Sequence, residues 1–64
     1  MNLQFRSSDL RAQPFRRVKI QFATAAGVQM MGRKFPVKMQ TKRHAEVLVP
    51  ETNELVLFSQ QEVE

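Results

Sequence analysis

The sequence predicts a small, mostly β domain: an antiparallel curled sheet or half-open barrel of four to five short strands, with at most one short N-terminal helical turn. Three observations carry that expectation. Apolar and polar residues alternate through 16–24 and again through 34–39, the period of two of a half-buried strand. Two apolar runs, Ala45 to Val49 and Leu55 to Ser59, flank the turn formers Pro50-Glu51-Thr52-Asn53-Glu54, as the arms of a hairpin do. The links between runs are short, which suits antiparallel neighbours and not the long crossovers of a parallel sheet.

Within residues 1–14, Leu3 and Phe5 alternate with Gln4 and Arg6 as in a short strand. Ser7 or Ser8 is placed to cap one helical turn through Asp9-Leu10-Arg11-Ala12, which Pro14 stops. The same stretch reads equally as an arm that orders on binding. It is set apart here from a β-rich domain over 15–59 and a polar tail over 60–64.

Arg16 to Thr24 is the clearest strand. Val18, Ile20 and Phe22 point to one side, Arg17, Lys19 and Gln21 to the other. Ala25-Ala26-Gly27 offers a turn, with Gly27 free to take a positive φ. Val28 to Met31 resumes extended backbone until Gly32, a bend or bulge. Met30 and Met31 then fall on opposite faces, so one is exposed. In the next strand Phe35, Val37 and Met39 alternate with Lys34, Pro36 and Lys38. Pro36 has no N–H for a ladder, which places this strand at an edge, and Met39 shares the core face of Phe35 and Val37. Thr41-Lys42-Arg43 reads as a polar connector before the strand from Ala45, and a helix from Thr41 to Val49 competes, since Ala45, Leu48 and Val49 share helical spacing. The two valines and Pro50 favour the strand.

Sixty-four residues make one domain, with a smaller buried fraction and a thinner stability margin than a larger chain has. Cysteine is absent and His44 is the single histidine, so disulfides, thiolate ligands and a His-based zinc site are all excluded for the chain alone. A partner or a second copy is the remaining supplement. No apolar signal region follows Met1, and the run Leu55-Val56-Leu57-Phe58 is far too short to span a bilayer. A soluble cytoplasmic protein with no membrane contact is expected.

Charge is sharply divided. All ten Lys and Arg lie in residues 1–43 with one acid, Asp9, for a net +9; residues 44–64 hold five Glu and no Lys or Arg. Such a field attracts a polyanion or an acidic protein surface. The candidate binding residues are Arg16, Arg17, Lys19, Arg33, Lys34, Lys38, Lys42 and Arg43, with Phe15 as a stacking residue. Solvated surface cations, with Lys34, Pro36 and Lys38 guarding an edge against aggregation, are the plain alternative. No G-x-S-x-G elbow and no phosphate-cradling glycine loop is present. His44 and Glu46 share a strand face without an accompanying nucleophile. No catalytic residue, metal or cofactor is therefore assigned.

Lys42-Arg43-His44-Ala45-Glu46-Val47-Leu48-Val49-Pro50 resembles the stretch around the catalytic glutamate of the DNA-targeting ADP-ribosyltransferase toxins. There a basic run precedes Ala-Glu and a short apolar strand follows. The resemblance spans nine residues and implies that Glu46 stands where that family's glutamate activates transfer of ADP-ribose from NAD. Nothing upstream resembles the family's NAD site.

The expected function is a non-enzymatic, accessory or regulatory binding module, of the economical kind a phage or plasmid encodes, docking on nucleic acid or on a nucleic-acid-handling protein. A self-associating protein, its basic part meeting the acidic hairpin of a neighbour, is the alternative. A partial transferase is the second.

Overall fold

The computed structural model describes residues 15–64; the strand and helical turn expected before them lie outside the described residues. Four strands, β1 (Phe15–Arg17), β2 (Lys34–Gln40), β3 (His44–Val49) and β4 (Glu54–Ser59), are followed by a 3-10 turn over Gln60–Glu62. They form one antiparallel sheet in the order β1-β2-β3-β4. The sheet curls without closing, and the mostly β expectation holds. No helix among the described residues is long and apolar enough to cross a membrane.

The strand expected over 16–24 is confined to Phe15–Arg17. After Arg17 the chain leaves the sheet, and its alternation serves a different purpose. Val18 and Met30 are buried, with Ile20 and Val28 packed against the same core, so this irregular segment is a lid over one face of the sheet. Period-two alternation records which side chains are covered, whether or not the backbone is paired. Phe22 keeps an edge-to-face contact with Phe58, ring centroids 5.4 Å apart, though it is only partly covered. The lid turns at Thr24 to Val28. Thr24 N–H donates to the Val28 carbonyl, while the Thr24 carbonyl and Oγ1 accept from the N–H groups of Gly27 and Val28. This buried threonine is thereby satisfied. Gly27 takes φ +90°, as the turn requires. Met30 is buried and Met31 exposed, as the opposite-face expectation has it.

The hairpin is observed as expected, with Glu54 joining β4 and the turn running over 50–53. Asn53 adopts φ +61° and donates its N–H to the Val49 carbonyl at 2.7 Å. Asparagine tolerates this left-handed conformation better than most residues.

Two expectations about β2 are overturned. Pro36 does not mark an edge strand: β2 lies between β1 and β3. Pro36 is opposite Phe15 of the short β1, and without an N–H it cannot donate a ladder bond there. Met39 does not share the core with Phe35. Val37 pairs with Val47 but Met39 pairs with Glu46, leaving Lys38 as an extra residue in a bulge. That insertion carries Met39 to the other face, where it is 41% exposed.

Residues directly opposite in an antiparallel pair share a face. Phe35, Val37, Ala45, Val47, Val49, Val56 and Phe58 therefore face the lid, and all are buried or partly buried. Complete burial of Phe35 contributes about 1.5–3 kcal/mol, a large share of the margin available to so small a domain. The expected polar tail is part of this core. Val63 is buried, bridges Val18, and is flanked by bonds from Lys19 N–H to the Glu62 carbonyl and from Glu64 N–H to the Arg17 carbonyl. The C-terminal residues thus cover the outer edge of β1. Glu62 also reaches back to the Ser59 N–H at 2.9 Å, anchoring the 3-10 turn as a capping glutamate does.

Candidate functional site

Phe15, Arg16, Arg17, Lys34 and Glu64 line one open depression of about 390 Å³ at the β1–β2 side of the sheet. The pairing creates it. Arg17 stands directly opposite Lys34, and Arg16 opposite Phe35. Arg16 consequently sits at the border of the lid-facing side. Its Nε donates to the Glu64 carbonyl at 2.5 Å and its Nη1 to Gln40 Oε1 at 2.6 Å. Arg17 Nη1 donates to the Gly32 carbonyl at 2.5 Å. Main-chain and amide oxygens orient these guanidinium groups, and the Glu64 side chain lines the same depression. Like charges opposed across a strand pair are unfavourable, and among the described residues no carboxylate forms an ion pair with Arg16, Arg17 or Lys34. Phe15, 48% exposed, adds an aromatic surface to the same depression.

The other predicted cations are divided. Arg33 is turned away: it pairs with Glu51 at 2.8 Å, reaches the Gln29 carbonyl, and lies 4.8 Å from the Phe35 ring centroid. Its charge is matched by the acidic hairpin. Lys42 and Arg43 line a second depression, about 530 Å³, with His44, Ser59, Gln60 and Gln61. Lys38 is exposed at the bulge, and Lys19 is exposed beyond the end of β1.

Two glutamines unremarked in the sequence organise the space between the depressions. Gln60 Nε2 donates to Gln40 Oε1 at 3.1 Å and to the Thr41 and His44 carbonyls at 2.9 and 3.0 Å. Gln40 thus receives both Arg16 and Gln60. Uncharged amides at a strand end carry no periodic signature, so only the fold reveals them. Glu46 lies between Met39 and Leu57 on the solvent-facing side of the sheet and lines neither depression.

No protein-family model, curated protein or solved structure matches this chain. What the site binds must be argued from its own chemistry.

At the opposite end of the hairpin, two carboxylates are held ionised. A bond from its own backbone amide, then the Arg33 side chain, keeps Glu51 below its ordinary carboxylate value of 4.5. The Thr52 hydroxyl, 2.5 Å away, followed by the Thr24 hydroxyl and, more weakly, the Ala26 N–H, does the same for Glu54 against a smaller desolvation effect. Their role is to tie the hairpin tip to the lid, which keeps the acidic end of the molecule in a fixed place.

Proposed function

We propose that this protein is a non-enzymatic, cytoplasmic accessory module that binds the phosphate backbone of a nucleic acid through Arg16, Arg17 and Lys34, with Phe15 offering a face for an unpaired base. The observation that carries this reading is the direct opposition of Arg17 and Lys34 in a depression shared with Arg16 and Phe15. A dianionic or polyanionic ligand relieves the repulsion of such a pair, and guanidinium groups held by hydrogen bonds present their remaining donors in a set direction. Aromatic stacking beside a basic groove is the sequence-tolerant mode of single-strand binding.

Fluorescence anisotropy of a labelled single-stranded oligonucleotide, read across salt concentration, tests this. Neutralising three phosphates on a single strand gives a log–log salt slope of about −2. Replacing Arg17 or Lys34 with Ala should weaken binding to every sequence alike and make the slope shallower by about 0.7 each. Absence of binding at low salt, or a slope unchanged in both variants, would sink the reading. Retention of nuclease-treated lysate proteins with no oligonucleotide binding would instead assign the site to an acidic protein surface.

A further inference from the structure

The two terminal strands of the sheet are treated differently. The outer edge of β1 is covered by the C-terminal residues, through the Val18–Val63 bridge and the bond from Glu64 N–H to Arg17. On β4, no described backbone group bonds to another strand on the side away from β3. The devices that protect such an edge, proline, lysine and bulges, are missing from Glu54-Leu55-Val56-Leu57-Phe58-Ser59. Both faces of this strand are apolar. Val56 and Phe58 face the core, while Leu55 and Leu57 are 54% and 56% exposed on the other side, where Leu55 adjoins Leu48 of the neighbouring strand and Leu57 adjoins Glu46.

We propose that the edge of β4 pairs antiparallel with β4 of a second copy, joining two four-stranded sheets into one of eight strands about a two-fold axis near Val56. Three features of the strand and its hairpin select a second copy as the occupant. The strand is self-complementary: with Val56 opposite the partner's Val56, Leu55 meets the partner's Leu57 twice, once on each side of the axis, and cross-strand apolar pairs are the unit that stabilises a sheet. The hairpin is also polar in charge along its length. Glu51 and Glu54 mark its tip, and Lys42 and Arg43 its base. Antiparallel pairing sets each acidic tip against the partner's basic base, where Lys42, Arg43, His44, Ser59, Gln60 and Gln61 already outline a depression able to receive a turn. Finally, the two Glu54 residues fall at opposite ends of the interface, so they do not meet one another. An isologous contact of this type closes on itself as a dimer. It leaves both β1–β2 depressions at the far ends of the joined sheet, free to engage ligand together.

Sedimentation velocity of the full chain without nucleic acid, over a wide concentration range, reads this directly and independently of ligand binding. A monomer–dimer equilibrium is expected, and Leu57→Lys, at a solvent-exposed position, should weaken it about tenfold or more. Glu51→Lys and Arg43→Glu should each weaken self-association, because each creates repulsion at both ends of the two-fold contact. An equimolar mixture of those two variants should regain the dimer, since the mixed pair is complementary at both ends. Thermal melts of each variant establish that it is folded. A strict monomer at the highest concentration, a dimer indifferent to Leu57→Lys, or a mixture no stronger than its components would each overturn the proposal.

Discussion

Arg16 and Gln60 donate to one and the same oxygen, Oε1 of Gln40. A residue of the first strand and a residue of the 3-10 turn are thereby joined through the end of the second. Because Gln60 also bonds the Thr41 and His44 carbonyls, the direction of the Arg16 guanidinium depends on the β2–β3 connector. The β1–β2 depression is held by contacts from well outside β1.

Gln40→Leu should therefore lower oligonucleotide affinity through Arg16 without removing a charge. The salt slope should keep its value while affinity drops, whereas Arg17→Ala lowers both. Loss of the shared acceptor should also lower stability by about 1 kcal/mol, measured by urea unfolding. An unchanged affinity would mean that Arg16 needs no positioning.

Acid should loosen the hairpin tip. Glu51 and Glu54 have carboxyl pKa values below the ordinary 4.5 in the folded protein. Their contribution to stability is then fully present above the unfolded value and is lost as pH falls through the lower folded values. Stability followed by chemical denaturation should be level above about pH 5 and decline below it. Glu54→Gln should flatten part of that decline. The effect should be small, since Glu51 is exposed and Glu54 only partly covered, and both are screened by salt.

Phe35→Ala should leave the protein without a cooperative thermal transition. Such truncations cost about 3–5 kcal/mol, and Phe35 is fully buried beneath the Arg33 guanidinium. Circular dichroism against temperature decides it. A sharp transition near that of the parent would show that the core is not centred on Phe35.

A chain lacking Lys38 should still fold. The pairs on either side of the bulge, Val37 with Val47 and Met39 with Glu46, already fall on alternate faces, so removing Lys38 produces a regular ladder with every side chain where it was. Val37 deletion should be far more damaging, because Lys38 then takes the core-facing place opposite Val47 that Val37 held. Comparing the melting temperatures of the two deletions tests this directly.

The hairpin, the buried methionine beside an exposed one, and the core positions Phe35 and Phe58 could all be read from residue types and spacing. These are local matters: which side of a pleat a residue occupies, and where turn formers interrupt it. Met39 escaped because a one-residue bulge inverts every face beyond it and leaves no mark in composition. Segment 18–31 escaped for a related reason, since a lid residue and a strand residue are buried by the same alternation. The acidic C-terminal stretch looked like a tail because Val63 is a lone apolar residue among polar ones, and its burial depends on meeting Val18 across 45 positions of chain.

For the candidate site, the chain order alone established an excess of cations up to Arg43 and acids after His44, together with the absence of thiols and the presence of a single histidine. It could not say which cations meet. Charge is a property of each residue, but a field is a sum over distances, and those distances are set by strand pairing. Antiparallel register brings Arg17 face to face with Lys34, sends Arg33 to Glu51, and leaves Lys42 and Arg43 around a separate depression. Composition supplied the sign of the surface; tertiary contacts chose where it is concentrated, because only folding decides which charges are brought close and which are cancelled.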